Sequence, residues 1–522
     1  MATPPFHRKV VNRTSRQLAV TALSVFLLLS AGCNSGDGPV GNNPPDNNPP
    51  VKLVIPLSFP TGVTIPFAVL DTTVNPRKSQ RLPLALSTSP PSIQETELTM
   101  KRGRVAGSVE FTTAGEINVT VSSALGTALA HQKVNAQEDT SHREMSGILT
   151  GNNLLWNSSY LIIIDENVTI PAGEQLVVGA GTVVLLSGNV RIEVFGSMDI
   201  QGTSEAPVTF TAQSTTEPWG EIDVHNGGTL SMKWAMLTRG GGDESRAFGH
   251  SGSQPVVRGD HAILEFDHCV LVDNPGKAIG SQYSTVVLDA SLIAQCDTGG
   301  EHFFSVVTAE NTWFLNMPSL SPDPAEDDND GIYLNDPNPG EVPSLLRNCV
   351  FVTGMDDAID HNGAMVNVEN CVIEDFYHEG VAASDKNWIH VSNTLILDCE
   401  QGIEAGYGSP EVTVDHCVLT GNDIGLRFGD NYPFYTHEGT LTAVNTISTE
   451  NRLHNVWNYD PTSQQPVEGK IQITYSIVND ADYDSGVGNL QGEVHFSEEY
   501  LLMEGSIGRG AAEDGTDMGL LP

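Results

Sequence analysis

The stretch Asn348–Val372, NCVFVTGMDDAIDHNGAMVNVENCV, begins and ends on the same three-residue step. Asn348-Cys349-Val350 returns as Asn370-Cys371-Val372, 22 residues later. Working outward, the step recurs as His268-Cys269-Val270, Ala290-Ser291-Leu292, Asn311-Thr312-Trp313, Asn393-Thr394-Leu395, His416-Cys417-Val418 and Asn445-Thr446-Ile447. A repeat of this size, with a small or thiol residue beside a β-branched or aliphatic one, is the signature of a solenoid. No 3.6-residue periodicity runs through it; short alternating strands broken by Gly, Asn and Asp do. The chain is therefore expected to be all-β and coiled, with Cys269, Cys349, Cys371 and Cys417 stacked inward as small buried apolar groups, not paired as disulfides.

Stacking places residues of successive coils about 4.8 Å apart. Nine or so residues beyond each ladder position stands a small residue: Ala278, Gly300, Gly331, Ala358, Gly380, Gly402 and Gly425. The residues just before this column, and those two steps beyond it, face outward. They bring Asp330, Asp357 and Glu379, then Tyr333, Asp360, Glu404 and Arg427, onto one surface, with Asp356 and His378 beside them. Like charges stacked at this spacing need compensation by a cation, shared protons or water. The longest interval, Thr312 to Cys349, adds an acidic loop there. Glu326, Asp328, Asp330 and Gly331 alternate as in a calcium loop, although Pro337 stands where a closing bidentate Glu belongs. This makes Glu326, Asp328 and Asp330 candidate ligands for Ca2+.

Other segments carry resemblances. The runs NVTIPAGEQLVVGAGTVV (167–184), VFGSMDIQGT (194–203), PVTFT (207–211) and the chain end SIGRG to GTDMG (506–519) resemble right-handed parallel β-helix proteins of the pectate-lyase-like superfamily. The resemblance covers roughly 142–522 and implies that fold, but not one activity. Within it, Asp328-Asn329-Asp330-Gly331, Met355-Asp356-Asp357-Ala358 and His378-Glu379-Gly380 look like three motifs of polygalacturonase-type glycoside hydrolases. That likeness implies Asp330 as general acid and Asp356 and Asp357 as the carboxylates activating water, with His378 and Glu379 alongside. Asp328 replaces an Asn of that pattern, Glu379 interrupts its His-Gly pair, and no Arg-x-Lys strand follows. Spacing by coils suits Asp330 and Asp357 to a retaining separation and brings Asp330 and Glu379 near an inverting one. An eliminating lyase would need a base, for which Lys386 and Arg427 are the nearest candidates. Tyr333, Asp360, Glu404 and Arg427 are the candidate substrate contacts.

Residues 52–138 alternate between strands and Pro/Gly turns without the 22-residue ladder and look like an immunoglobulin-type sandwich. Within them, residues 107–121 read as two strands around a tight Ala-Gly turn. Residues 34–51 (NSGDGPVGNNPPDNNPPV) have almost no apolar content and read as a tether. Ahead of them, a basic stretch, the apolar run Leu18–Leu29 and Ser30-Ala31-Gly32-Cys33 resemble a bacterial lipoprotein signal. This implies cleavage before Cys33, its lipidation, and export to the envelope, in the outer membrane or at the cell surface. The chain of 522 residues carries 65 acids against 25 bases, a formal charge of −40, which excludes nucleic acid as a natural partner. The sequence thus points to a polysaccharide-binding or polysaccharide-cleaving surface protein, with a non-catalytic adhesion or structural stalk as the alternative. Oligomeric state leaves no mark in it.

Overall fold

Each coil is built from three short strands, and strands of successive coils pair in parallel register to form three sheets. In the computed structural model, which describes residues 51–138, 141–318, 328–430, 432, 434–459, 465, 467–480, 483 and 485–522, the registers Val350↔Val372, Ile359↔Val381 and Val366↔Ile389 join one coil to the next. Among the described residues one sheet has thirteen strands; the other two run side by side and close the solenoid around a continuous apolar core. The expected all-β coiled architecture is present.

The three-residue step marks the corner leading into the first of these sheets. Its leading residue is left-handed in every coil, with φ of 54° at Asn348, 55° at Asn370, 47° at Asn393 and 55° at His268. Asn tolerates this region better than other side chains because its short amide bonds locally. The next residue turns inward and satisfies backbone that the corner leaves unpaired. Thr394 Oγ1 accepts the Cys371 N–H at 3.2 Å and donates to Ser392 O at 2.9 Å. The cysteines sit in the same column as free, buried thiols. Burial pushes the Cys269 and Cys417 thiols up to about 12, so they pack as small apolar groups. Further inward, Phe314 and Phe351 stack at 4.6 Å.

The first sheet is apolar on both sides. Inward Leu271, Ile293, Phe351 and Ile373 are fully buried, and so, within a few per cent, are outward Val270, Leu292, Val350 and Val372. Outward apolar strands need a cover. Here it is the N-terminal sheet, whose Val54, Ala68 and Ala106 join that outward column in one cluster with Met518 and Leu520 from the chain end. Arg102 donates to Glu374 at 2.7 Å with both side chains buried, and Lys101 donates to Thr353 at 2.6 Å. The N-terminal sheet has eight strands, antiparallel except where Ser58–Pro60 meets Ala128–Gln137, and curls around its own core. The expected tight hairpin within 107–121 is absent. Arg104–Glu110 pairs with Thr64–Asp71, and Gly115–Ser123 with Arg81–Ser89 and Ala128–Gln137. Buried Phe111 carries the chain between the two parts of the sheet.

The second sheet, facing away from this cover, bears the acidic column. Its register corrects the expected small column in one coil. Gly280 pairs with Glu301, and Glu301 with Tyr333, so Gly299, not Gly300, aligns with Gly331. Ser291 and Thr312 are 21 residues apart, and the missing residue falls before this corner. Gly300 takes an inward position beside the His302 ring. Glu301 therefore faces outward, and His302 is buried inside, where burial lowers its imidazole to about 3 and keeps it neutral.

Candidate functional site

Strands Ile332–Asn335, Ile359–Asn362, Glu379–Asp385 and Gln401–Gly408 carry the site, each one coil beyond the last. The pairs Tyr333↔Asp360, Asp360↔Ala382 and Ala382↔Glu404 set Asp360 between neighbours of this row. At the corner before the strands, Asp330 and Asp357 are neighbours because Gly331 N–H bonds Asp357 O at 2.8 Å. A side chain on Gly331 would collide with Ala358 O at 2.4 Å, which is why glycine holds that corner.

Asp330, Asp357 and Asp360 converge, with oxygens all within 4.8 Å of one another. Asp330 has no exposed surface; its Oδ1 accepts the Asp357 N–H at 3.3 Å, and its Oδ2 has no hydrogen-bond partner among the described residues. Burial first, then the charges of Asp356, Asp360 and Glu301, push its carboxyl well above the usual range. Asp357 and Asp360 are raised for the same reasons, burial foremost, Glu379 and Asp356 adding to it. A second group shares Asp357 with Asp356 and His378. His378 Nδ1 and Asp356 Oδ1 lie 2.5 Å apart. Burial lowers the His378 imidazole, but that bond and the charges of Glu379 and Asp356 outweigh it and hold the ring above its ordinary value. Glu379 donates its N–H to Asp357 Oδ1 at 2.8 Å, and its carboxylate takes a hydrogen bond from Gln401.

The other expected residues frame this cluster. Arg427 Nη1 stands 3.0 Å from Glu404 Oε2 and donates to Gln401 at 2.6 Å. These two candidate substrate contacts thus form a buried ion pair, with 6% and 10% of their side chains exposed. Asn362 Nδ2 donates to the hydroxyls of Tyr333 and Tyr407 at 3.0 and 3.2 Å. Tyr407 stacks on Tyr435 at 4.7 Å and meets Tyr432 edge-on at 6.1 Å. Of the expected calcium triad, Asp330 joins the cluster, Asp328 lies 3.7 Å from His250 Nδ1, and Glu326 falls outside the described residues. Lys386 pairs with Asp336 at 2.7 Å and is half exposed.

Sequence reasoning missed the residues beside Asp330 on its N-terminal side. Lys277 and Glu301, both without exposed surface, form an ion pair at 2.7 Å. The Glu301 carboxylate also accepts the N–H groups of His250 and Ser251, each at 2.7 Å. His250 stacks on Tyr333 at 5.0 Å and 5°. The signal for Glu301 was the 21-residue coil, which moves it into the outward row. None existed for His250, which lies outside the repeat.

The right handed beta helix region family matches residues 325–464, the coils that carry the acidic cluster. The chain is similar to that family over this span, and the solenoid is a right-handed parallel β-helix. No curated protein and no solved structure matches the chain.

Proposed function

We propose that this chain is an exported, lipid-anchored β-helix protein that binds a polysaccharide on its acidic face through a carboxylate-held cation and a tyrosine rim. The observation that carries the proposal is the convergence of Asp330, Asp357 and Asp360 around a buried Asp330 oxygen that has no hydrogen-bond partner among the described residues. Three like charges this close require neutralisation. An all-oxygen donor set suits a hard cation such as Ca2+, which accepts six to eight oxygens and leaves positions for further ligands. Bound there, Ca2+ supplies positive charge for sugar hydroxyls or carboxylates on a surface that otherwise repels anions. Tyr432, 58% exposed, and Tyr435, 55% exposed, offer the apolar faces that carbohydrate recognition uses.

Binding is favoured over hydrolysis by accessibility. A general acid must come within hydrogen-bond reach of the glycosidic oxygen, and Asp330 exposes nothing. Lipidation at Cys33 and the 34–51 tether would carry the folded part at the cell envelope. The test is a glycan panel titrated with and without EDTA, scored for binding, reducing ends and unsaturated products. Calcium-dependent binding without product supports the proposal. Absence of binding in both arms leaves the structural or adhesion stalk, a reading favoured by the rigid sealing of the first sheet.

A further inference from the structure

Resting on that reading, we infer that the acidic site takes a short oligosaccharide or the end of a chain, because walls stand across both of its ends along the solenoid axis. The first wall is the insertion between Ala235–Leu237 and Pro255–Asp260, which lies on the outer surface of the second sheet across successive coils. Arg246 donates to Asp223 at 2.7 Å and also pairs with buried Glu221, which Arg258 holds from the other side at 2.8 Å. Phe248 sits over the next coils, where a side chain on Gly280 would meet its ring at 2.9 Å. Its carbonyl accepts from Lys277, and its ring meets Phe303 edge-on at 5.5 Å. Ser251 Oγ donates to Asp297 at 2.8 Å. The insertion ends with His250 stacked on Tyr333, one coil before Asp360. Its partners on the sheet, Glu221, Lys277, Asp297 and Glu301, are buried charges.

The second wall follows Ile424–Phe428. Asp430 Oδ1 accepts the Tyr432 N–H at 2.7 Å and lies 2.8 Å from His437 Nε2. Thr436 O accepts from Gly408 at 2.6 Å. These bonds set Tyr432 and Tyr435 against Tyr407. Tyr432 comes close enough to Glu379, Asp356 and Asp357 that burial and their charges push its phenol up to about 12. Asn362 ties the two walls together through Tyr333 and Tyr407. Tyr333 and the Glu404 coil are three coil steps apart, about 14 Å along the backbone, and at Asn362 the two tyrosine hydroxyls close to within about 6 Å of each other, so the space between the walls holds a few sugar units at most. A long chain lying along the axis meets Phe248 and His250 on one side and the tyrosines on the other.

The experiment uses the full mature chain in Ca2+ and the polysaccharide identified by the panel. Affinity is measured for oligosaccharides of increasing length, and binding capacity for the polymer sheared to different mean lengths at constant mass. Affinity that levels off after a few sugars, with capacity rising in proportion to chain ends, supports the inference. Affinity that keeps climbing with length, with capacity following mass alone, overturns it while leaving polysaccharide binding intact. His250→Ala, at a half-exposed position, is expected to raise polymer affinity about tenfold with unchanged thermal stability; no rise overturns the role of that wall. No binding by any glycan overturns both this inference and the reading beneath it.

Discussion

Two sheets of one solenoid have opposite outer surfaces. The first carries Val270, Leu292, Val350 and Val372 outward and is sealed by the N-terminal sheet and the chain end. The second carries Glu301, Asp360 and Glu404 outward, alternating with Tyr333 and Ala382, and is only partly roofed. Both have the same backbone register and the same apolar interior, so the outward column alone decides whether a sheet becomes an interface or a site. The sealed sheet holds its charges in matched pairs, such as Arg102 with Glu374. The acidic sheet gathers carboxylates in excess of the cations among its described residues, and the proposed cation site rests on that imbalance.

The largest way to break this contrast is at the seal. Arg102→Met strips a buried partner from Glu374, and denaturant unfolding is expected to show a loss of about 3–5 kcal/mol. A restored wild-type midpoint would mean that the cover contributes little. Next comes the cation. With Ca2+ at about a hundred times its Kd, stability is expected to rise by about 2.7 kcal/mol, and Asp330→Asn to abolish the rise. The same cluster fixes a pH dependence in EDTA. Asp330, Asp357 and Asp360 have folded values raised above the 3.8 of a free carboxyl. The folded state thus holds more protons than the unfolded one above that value, and the stability these groups contribute is lost as pH rises through their folded range. Melting temperature is expected to fall from pH 4 upward without Ca2+, and to fall less steeply in Asp330→Asn.

A smaller effect tests the corner. Thr394→Val leaves the Cys371 N–H without its acceptor and is expected to cost about 1–3 kcal/mol, read by chemical denaturation. Smallest is Lys386→Met, which removes a half-exposed pair with Asp336. It is expected to change stability by less than about 1 kcal/mol and to leave carbohydrate binding unchanged. A large loss of binding would put Lys386 in the site.

The ladder was legible because each position obeys a local rule: a left-handed Asn, then a small inward residue, then an apolar strand. Asp357 and Asp360 were legible in place because their coil keeps the common length from Cys349 to Ala358, and Asp330 as their neighbour because the extra residues of the long interval all fall before Gly331. The slip at Gly300 came from a coil one residue short, which a fixed offset carries in the wrong direction. The outward valines were visible as runs such as Cys349-Val350-Phe351-Val352, but a strand buried on both sides looks the same whichever element covers it. The N-terminal hairpin was misread because a short loop between strands fixes neither their partners nor the sheet order. The wall around His250 obeys no period, and only the bonds to Glu301 and Asp297 reveal where it lies.

The N-terminal sheet grips the solenoid at spaced heights: Ser108 at Asp273, Lys101 at Asn316 and Thr353, Arg102 at Glu374. Open solenoids lengthen in evolution by duplicating a turn, because each turn touches only its neighbours. Here a duplicated turn between Asp273 and Glu374 would slide one set of grips past the other by about 4.8 Å. The cover therefore acts as a ruler, and variation among descendants of this chain is expected in side loops and at the far end of the coil stack, not in the number of turns beneath the ruler.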